Sequence, residues 1–145
     1  MIDIAITDEQ RALTVDLSRI RTAIESILRD AGMSEAEVSV GIIDDARMHE
    51  LNRMHLNHDY PTDVLSFVLD RTESTLDGEV IVSTETAIAQ AREFNQTPED
   101  ELLLYVIHGA LHLVGYDDKE LEKRAEMRKM ENYYMNRFAR SYNAE

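Results

Sequence analysis

The stretch from Leu102 to Asp118 constrains this chain more than any other. An unbroken apolar run, Leu102-Leu103-Leu104-Tyr105-Val106-Ile107, leads into His108 and His112, and the segment closes on Gly115 and the acids Asp117 and Asp118. Ahead of it, Thr97-Pro98-Glu99-Asp100 supplies an N-cap, a proline at the first helical position and acids for the first turn. The spacing therefore predicts a core helix from Thr97 to Val114. Histidines four apart project from one face of such a helix, one turn above the other. Gly115 can adopt the left-handed conformation that stops a helix and folds the chain back, and Asp118 then returns toward the imidazoles. A histidine on an apolar helix face is ordinarily a satisfied core residue. The paired spacing, the glycine stop and the following acid together point instead to a three-donor metal site, the number a catalytic zinc uses while keeping a fourth position for water. The chain has no cysteine, so disulfides and thiolate ligands are excluded and any metal must be held by His, Asp or Glu.

The remaining periodicities supply elements to carry that helix. Ile2, Ile4 and Ile6 alternate as a first strand. Leu13, Leu17, Ile20, Ile24, Ile27 and Leu28 recur at helical spacing, giving a helix from about Leu13 to Ala31 that Gly32 ends. After a turn at Ser34–Glu37, Val38, Val40 and Ile42 form a second strand, with Ile43 at its buried end. Asp44 is the expected N-cap of a helix through about Met54. The run Val64–Leu69 reads as a third strand buried on both faces at its centre, with Val64, Leu65 and Phe67 in the core. Arg71 to Asp77 reads as a connector and Gly78–Ser83 as a fourth strand. Thr84 is the expected cap of a helix carrying Ala87, Ile88, Ala91 and Phe94. Lys119 to about Tyr142 is a last helix with Met127, Met130, Tyr134 and Phe138 inward. The expected architecture is α+β: one mixed four-stranded sheet packed with about five helices, with the metal site at the end of a core helix, as in zincins.

Composition limits the functional classes. At 145 residues and 43% hydrophobic content the chain suits a single domain, 1–145, with a real core. No apolar run approaches the roughly 20 residues of a membrane span, and Met1-Ile2-Asp3-Ile4 lacks the basic and apolar regions of a signal peptide. Together with the lack of cysteine, this fits a cytoplasmic protein. Fifteen Lys and Arg against 29 Asp and Glu give a net charge of −14. Such a balance opposes broad, non-specific phosphate binding unless a local basic patch or a metal offsets it.

The frame His-x3-His-x2-Gly-x2-Asp matches the metzincin ligand frame with Asp in the third place. The glutamate that serves zincins as general base is Gly109 here, so a peptidase of that type lacks its base. The segment His108-Gly-x-Leu-His112-Leu-x-Gly-Tyr-Asp resembles the signature of the YbeY family of endoribonucleases and rRNA maturation factors. Leu51-Asn52, Pro61-Thr62-Asp63-Val64-Leu65-Ser66-Phe67 and Gly78-Glu79-Val80 match the same family in order and spacing, so that the resemblance covers about residues 38 to 131.

The resemblance implies a zinc-dependent, single-strand-specific endoribonuclease acting in maturation of the small-subunit rRNA 3′ end and in ribosome quality control. It implies rRNA and the small ribosomal subunit as partners, and His108 and His112 as the first two ligands. The family's third ligand is usually histidine. Asp118 takes that place, with Asp117 as competing ligand or as partner of an imidazole N–H. Aspartate is a competent oxygen donor; its charge lowers the metal's Lewis acidity and widens tolerance to Mn²⁺ or Mg²⁺. An arginine that the family carries ahead of the Pro-Thr-Asp block is Leu56 here. Arg53 and Arg71 are candidates to replace it, and His55 and His58 candidates for donors or for a group titrating near neutral pH. Thr62, Asp63 and Ser66 are the polar residues able to line a cleft beside the metal. Two rival readings are a zincin-type metallohydrolase or peptidase, and a non-catalytic ribosome-assembly factor stabilised by its metal.

Overall fold

The computed structural model describes residues 1–56 and 62–142, with the side chains of 55 and 56 outside that description. The elements run β1 (Ile2–Asp8), α1 (Leu17–Asp30), β2 (Glu35–Ile43), α2 (Asp45–Leu56), β3 (Val64–Arg71), β4 (Thr75–Ser83), α3 (Thr84–Glu93), α4 (Pro98–Leu113) and α5 (Leu121–Phe138). The strands form one mixed sheet in the order β1-β2-β4-β3. β1, β2 and β4 are parallel, and β3 lies antiparallel on the outer edge of β4. This is the α+β arrangement expected from the sequence.

Alternation along the strands divides the apolar residues between two faces. Ala36, Val38, Val40 and Ile42 of β2 join Leu76, Val80 and Val82 of β4 in the main core, shared with α1, α4 and α5. Ile43 and Ile81 turn to a smaller cluster with Met48 of α2 and Leu65 of β3. α4, which carries both histidines, is packed most deeply: Leu102, Leu103, Val106, Ile107, Ala110, Leu111 and Leu113 are all buried. A helix apolar on nearly every side can exist in water only when neighbours surround it.

Several boundaries move for identifiable reasons. α1 begins at Leu17, where Asp16 accepts a hydrogen bond from the Arg19 amide at 3.2 Å. Leu13 and Val15 still pack on the core from the preceding segment. The connector between β3 and β4 shrinks to Thr72–Ser74, because Thr72 Oγ1 accepts from the Ser74 and Thr75 amides and closes a tight hairpin. Ser83, not Thr84, caps α3 and accepts from the Thr86 amide, while Thr84 donates to the Ile43 carbonyl. α5 ends at Phe138, after which Ala139 is extended and the amides of Arg140 and Ser141 donate to the buried Asp100 carboxylate.

The larger correction is β3. It is an edge strand, with only Leu65 fully buried, Val64 and Phe67 partly so, and Val68 and Leu69 exposed. A short apolar run has the same appearance whether one partner strand covers it or two.

Candidate metal centre

The site is built at the C-terminal end of α4. Thr97 Oγ1 accepts from the Asp100 amide at 3.1 Å and starts the helix, with Pro98 behind it. The rotation of α4 about its axis is fixed by Gly109. A Cβ there would lie 2.7 Å from Val80 Cγ1 and 3.2 Å from Val64 Cγ2, so the helix backbone rests directly on the sheet. With position 109 against the sheet, His108 and His112 stand on the half-buried side of the helix.

The helix ends in a Schellman motif. The Tyr116 amide donates to the Leu111 carbonyl at 3.0 Å and the Gly115 amide to the His112 carbonyl at 3.1 Å, with Gly115 at φ +109°. Arg71 of β3 donates to the Leu113 carbonyl at 3.2 Å and satisfies another free acceptor of the last turn. The chain then doubles back, and Arg124 Nε donates to the Asp118 carbonyl at 3.1 Å. Asp118 thereby meets both rings: one carboxylate oxygen is 3.7 Å from His108 Nε2 and the other 3.8 Å from His112 Nε2. One ligand atom from each residue falls within 4.8 Å of the others. Donors about 2.0–2.2 Å from a tetrahedral ion stand roughly 3.4 Å apart. The 3.7 and 3.8 Å approaches use different Asp118 oxygens, so closure of one atom from each residue on a cation draws the widest edge, up to 4.8 Å, together by as much as about 1.4 Å.

The first imidazole is oriented from another helix. Glu131 of α5, itself buried, lies 2.5 Å from His108 Nδ1. A carboxylate acceptor there keeps the ring proton on Nδ1 and leaves the Nε2 lone pair facing Asp118, the usual outer support of a metal-ligating histidine. Burial alone would lower the His108 pKa. The hydrogen bond and charge of Glu131, with the charges of Asp118 and Asp63, outweigh it, and the net shift is upward. The donors fit a divalent cation: two imidazole nitrogens, one carboxylate, and no thiolate.

The cluster opens on a cleft of about 550 Å³ bounded by the start of β3, α3, α4 and α5. Thr62, Asp63, His108 and Asp118 line it; Ser66, Arg53 and Arg71 do not. Ser66 pairs with Val80 along β3, Arg53 is exposed on α2, and Arg71 braces the end of α4. Asp117 is not part of the cluster; it accepts from the Lys119 amide at 3.0 Å and lines a separate depression beside Gly115 and Tyr116. The side chain of His55 and all of His58 lie outside the described residues. Sequence reasoning missed Glu131, Arg124 and Arg128, which line the same cleft. A signal for Glu131 did exist: it falls on the buried stripe of α5 between Met127 and Tyr134, a place where an unpaired acid is not tolerated.

Comparison with known proteins returns one family. Residues 5–139 match the family model described as Endoribonuclease YbeY. A relative of that name from Rhodopirellula baltica is 49% identical over 102 residues, 69% of this chain and 53% of the relative, so the chain aligns with about half of that protein's length. Another from Desulfitobacterium hafniense is 44% identical over 115 residues, covering 72% and 73% of the two chains. A third, from Salinibacter ruber, is 34% identical over 141 residues and covers 92% and 90%. Among solved structures, the solution structure of TM1509 from Thermotoga maritima superposes with a TM-score of 0.64 at 32% identity, covering 94% of this chain and 87% of that one.

Proposed function

This chain belongs to the YbeY endoribonuclease family, and we propose that it acts as one domain to cleave single-stranded RNA at a zinc ion held by His108, His112 and Asp118. The observation that carries the reading is the convergence of two imidazoles and one carboxylate at the edge of an open cleft. Held by His108, His112 and Asp118, zinc would supply Lewis acidity toward a phosphoryl oxygen and lower the pKa of water toward neutrality. The chain's own residues do the rest. Glu131 holds the His108 ring so that Nε2 faces inward. The Schellman turn at Gly115 and the Arg124 bond to the Asp118 carbonyl hold the third donor. Asp63 and Thr62 line the same cleft and are polar side chains available to orient the strand. Mn²⁺ or Mg²⁺ can occupy the same donors because one of the three is an oxygen.

A zincin-type peptidase is disfavoured by position 109, which rests on Val80 and has no room for the glutamate such enzymes use. By family resemblance the biological substrate is the 3′ end of small-subunit rRNA, with the small ribosomal subunit as partner. The setting we assign is the cytoplasm; among the described residues no helix is long and apolar enough to cross a membrane.

The test is metal analysis of the purified wild type, Asp117→Asn and Asp118→Asn, followed by cleavage of single-stranded and duplex RNA with and without chelator. Zinc should be lost from Asp118→Asn and retained by Asp117→Asn. Cleavage should be confined to single strands, stop on chelation and return with zinc. Cleavage undiminished by complete metal removal would sink the mechanism, and metal loss confined to Asp117→Asn would overturn the ligand assignment.

A further inference from the structure

The cleft has a charge problem that two arginines solve. Among the described residues its wall carries four carboxylates, Asp63, Glu101, Asp118 and Glu131, and two guanidiniums, Arg124 and Arg128. A divalent cation brings this formal balance to zero. Without the arginines the loaded site would remain at minus two inside a molecule of net charge −14, and an approaching phosphodiester would be repelled. Arg124 and Arg128 stand four apart on α5, on one face and a turn from each other. Each guanidinium turns its Nε toward the donor cluster. Arg124 Nε donates to the Asp118 carbonyl at 3.1 Å. Arg128 Nε lies 3.9 Å from the Glu131 carboxylate that grips His108. Both residues are exposed.

We infer that Arg124 and Arg128 form a phosphate grip beside the His108–His112–Asp118 cluster, binding the backbone of single-stranded RNA. Guanidinium suits this task because its planar fork matches phosphate oxygens in pairs and stays charged at any working pH. The anchoring contacts fix the depth of each arginine relative to the ion. Phosphates are therefore engaged next to the reacting one, at positions that carry no base information. The inference rests on the reading that the site takes RNA.

The experiment compares zinc-loaded wild type, Arg128→Gln, Arg124→Gln/Arg128→Gln and Arg124→Lys/Arg128→Lys. A remote pair, Arg11→Gln/Arg29→Gln, removes the same charge far from the cleft. The probe is a labelled 2′-O-methyl oligouridylate, its binding followed by fluorescence anisotropy across a salt series. Each phosphate contact on a single strand contributes about 0.7 to the slope of log K against log salt. The double glutamine variant should lose about 1.4 in slope and bind roughly 25-fold more weakly at about 0.1 M salt. Arg128→Gln should lose half that slope, and the lysine pair and the remote pair should keep it. Zinc content is measured throughout. Wild-type binding with an unchanged slope in the double glutamine variant would overturn the grip and leave the endoribonuclease reading intact. Zinc loss from both glutamine variants would make the arginines structural and overturn it likewise. A zinc-loaded wild type that neither binds the probe nor cleaves RNA would remove both readings.

Discussion

Glu131 approaches His108 from a helix that the local sequence around the histidines does not reveal. The two are 23 residues apart, whereas His108, His112, Gly115 and Asp118 form a single local motif whose geometry follows from helix pitch and one glycine. The convergence of these side chains was therefore legible in the sequence, whereas the pairing of Glu131 with His108 was not, because it depends on how α5 docks. Glu131→Ala leaves the His108 ring free to rotate and its Nδ1 without an acceptor. Loss of such an outer partner typically costs about 10–100-fold in metal affinity. Competition with a chromogenic zinc chelator should show a drop of that order, with the helical content by circular dichroism retained. An unchanged affinity would mean that the carboxylate serves packing alone. Arg71 teaches the converse lesson. It stood among the candidates for RNA contact, yet the antiparallel pairing of β3 carries it to the C-terminal carbonyls of α4, a favourable seat for a cation.

At the scale of elements, α4 is held by close approach on one side and by α5 on the other. Gly109→Ala tests the first. Alanine improves helix propensity by about 1 kcal/mol, but its methyl would fall 2.7 Å from Val80, a β-branched residue with no exposure and no room to turn. Overpacking of that kind costs about 1–3 kcal/mol. The net expectation is destabilisation by about 1 kcal/mol, seen as a lower denaturation midpoint in urea; stabilisation would show that the sheet yields. α5 in turn is fastened to α1 by Tyr134, whose hydroxyl donates to Asp30 at 2.7 Å. Burial, and then this bond to a carboxylate, push the phenol pKa well above its ordinary value of 10.0. The raised value means that the stabilising contribution is complete below about pH 10 and is lost as pH rises beyond it. Tyr134→Phe should cost about 1 kcal/mol near neutral pH, and urea melts of the two proteins should converge above about pH 10. The sequence foretold α4 and the inward stripe of α5 because their periodicity is strong. It failed at β3, where edge and interior strands carry the same apolar letters until the neighbour on the far side is known.

The whole molecule is a scaffold that a metal bound at His108, His112 and Asp118 would complete. The three donors come from the end of α4 and from the loop leading into α5, and that loop is otherwise held mainly by the Gly115 turn and the Arg124 bond. A cation bound there ties these parts together in the folded state alone, since the unfolded chain presents no preformed set of donors. Its stabilisation follows from mass action, about 2.7 kcal/mol when free zinc stands at roughly 100 times its dissociation constant. For a chain of 145 residues, each kcal/mol moves the melting temperature by about 3–4 °C. Removing zinc with a chelator should accordingly lower Tm on the order of 8–10 °C, with the far-ultraviolet spectrum below the transition nearly unchanged because the apolar core does not involve the ion. His112→Ala should melt near the metal-free wild type and ignore both zinc and chelator. The two proteins together separate the metal's contribution from the intrinsic stability of the fold. A wild type whose melting is indifferent to chelation, while His112→Ala melts far below it, would assign His112 a packing role and leave the cluster without an ion to hold.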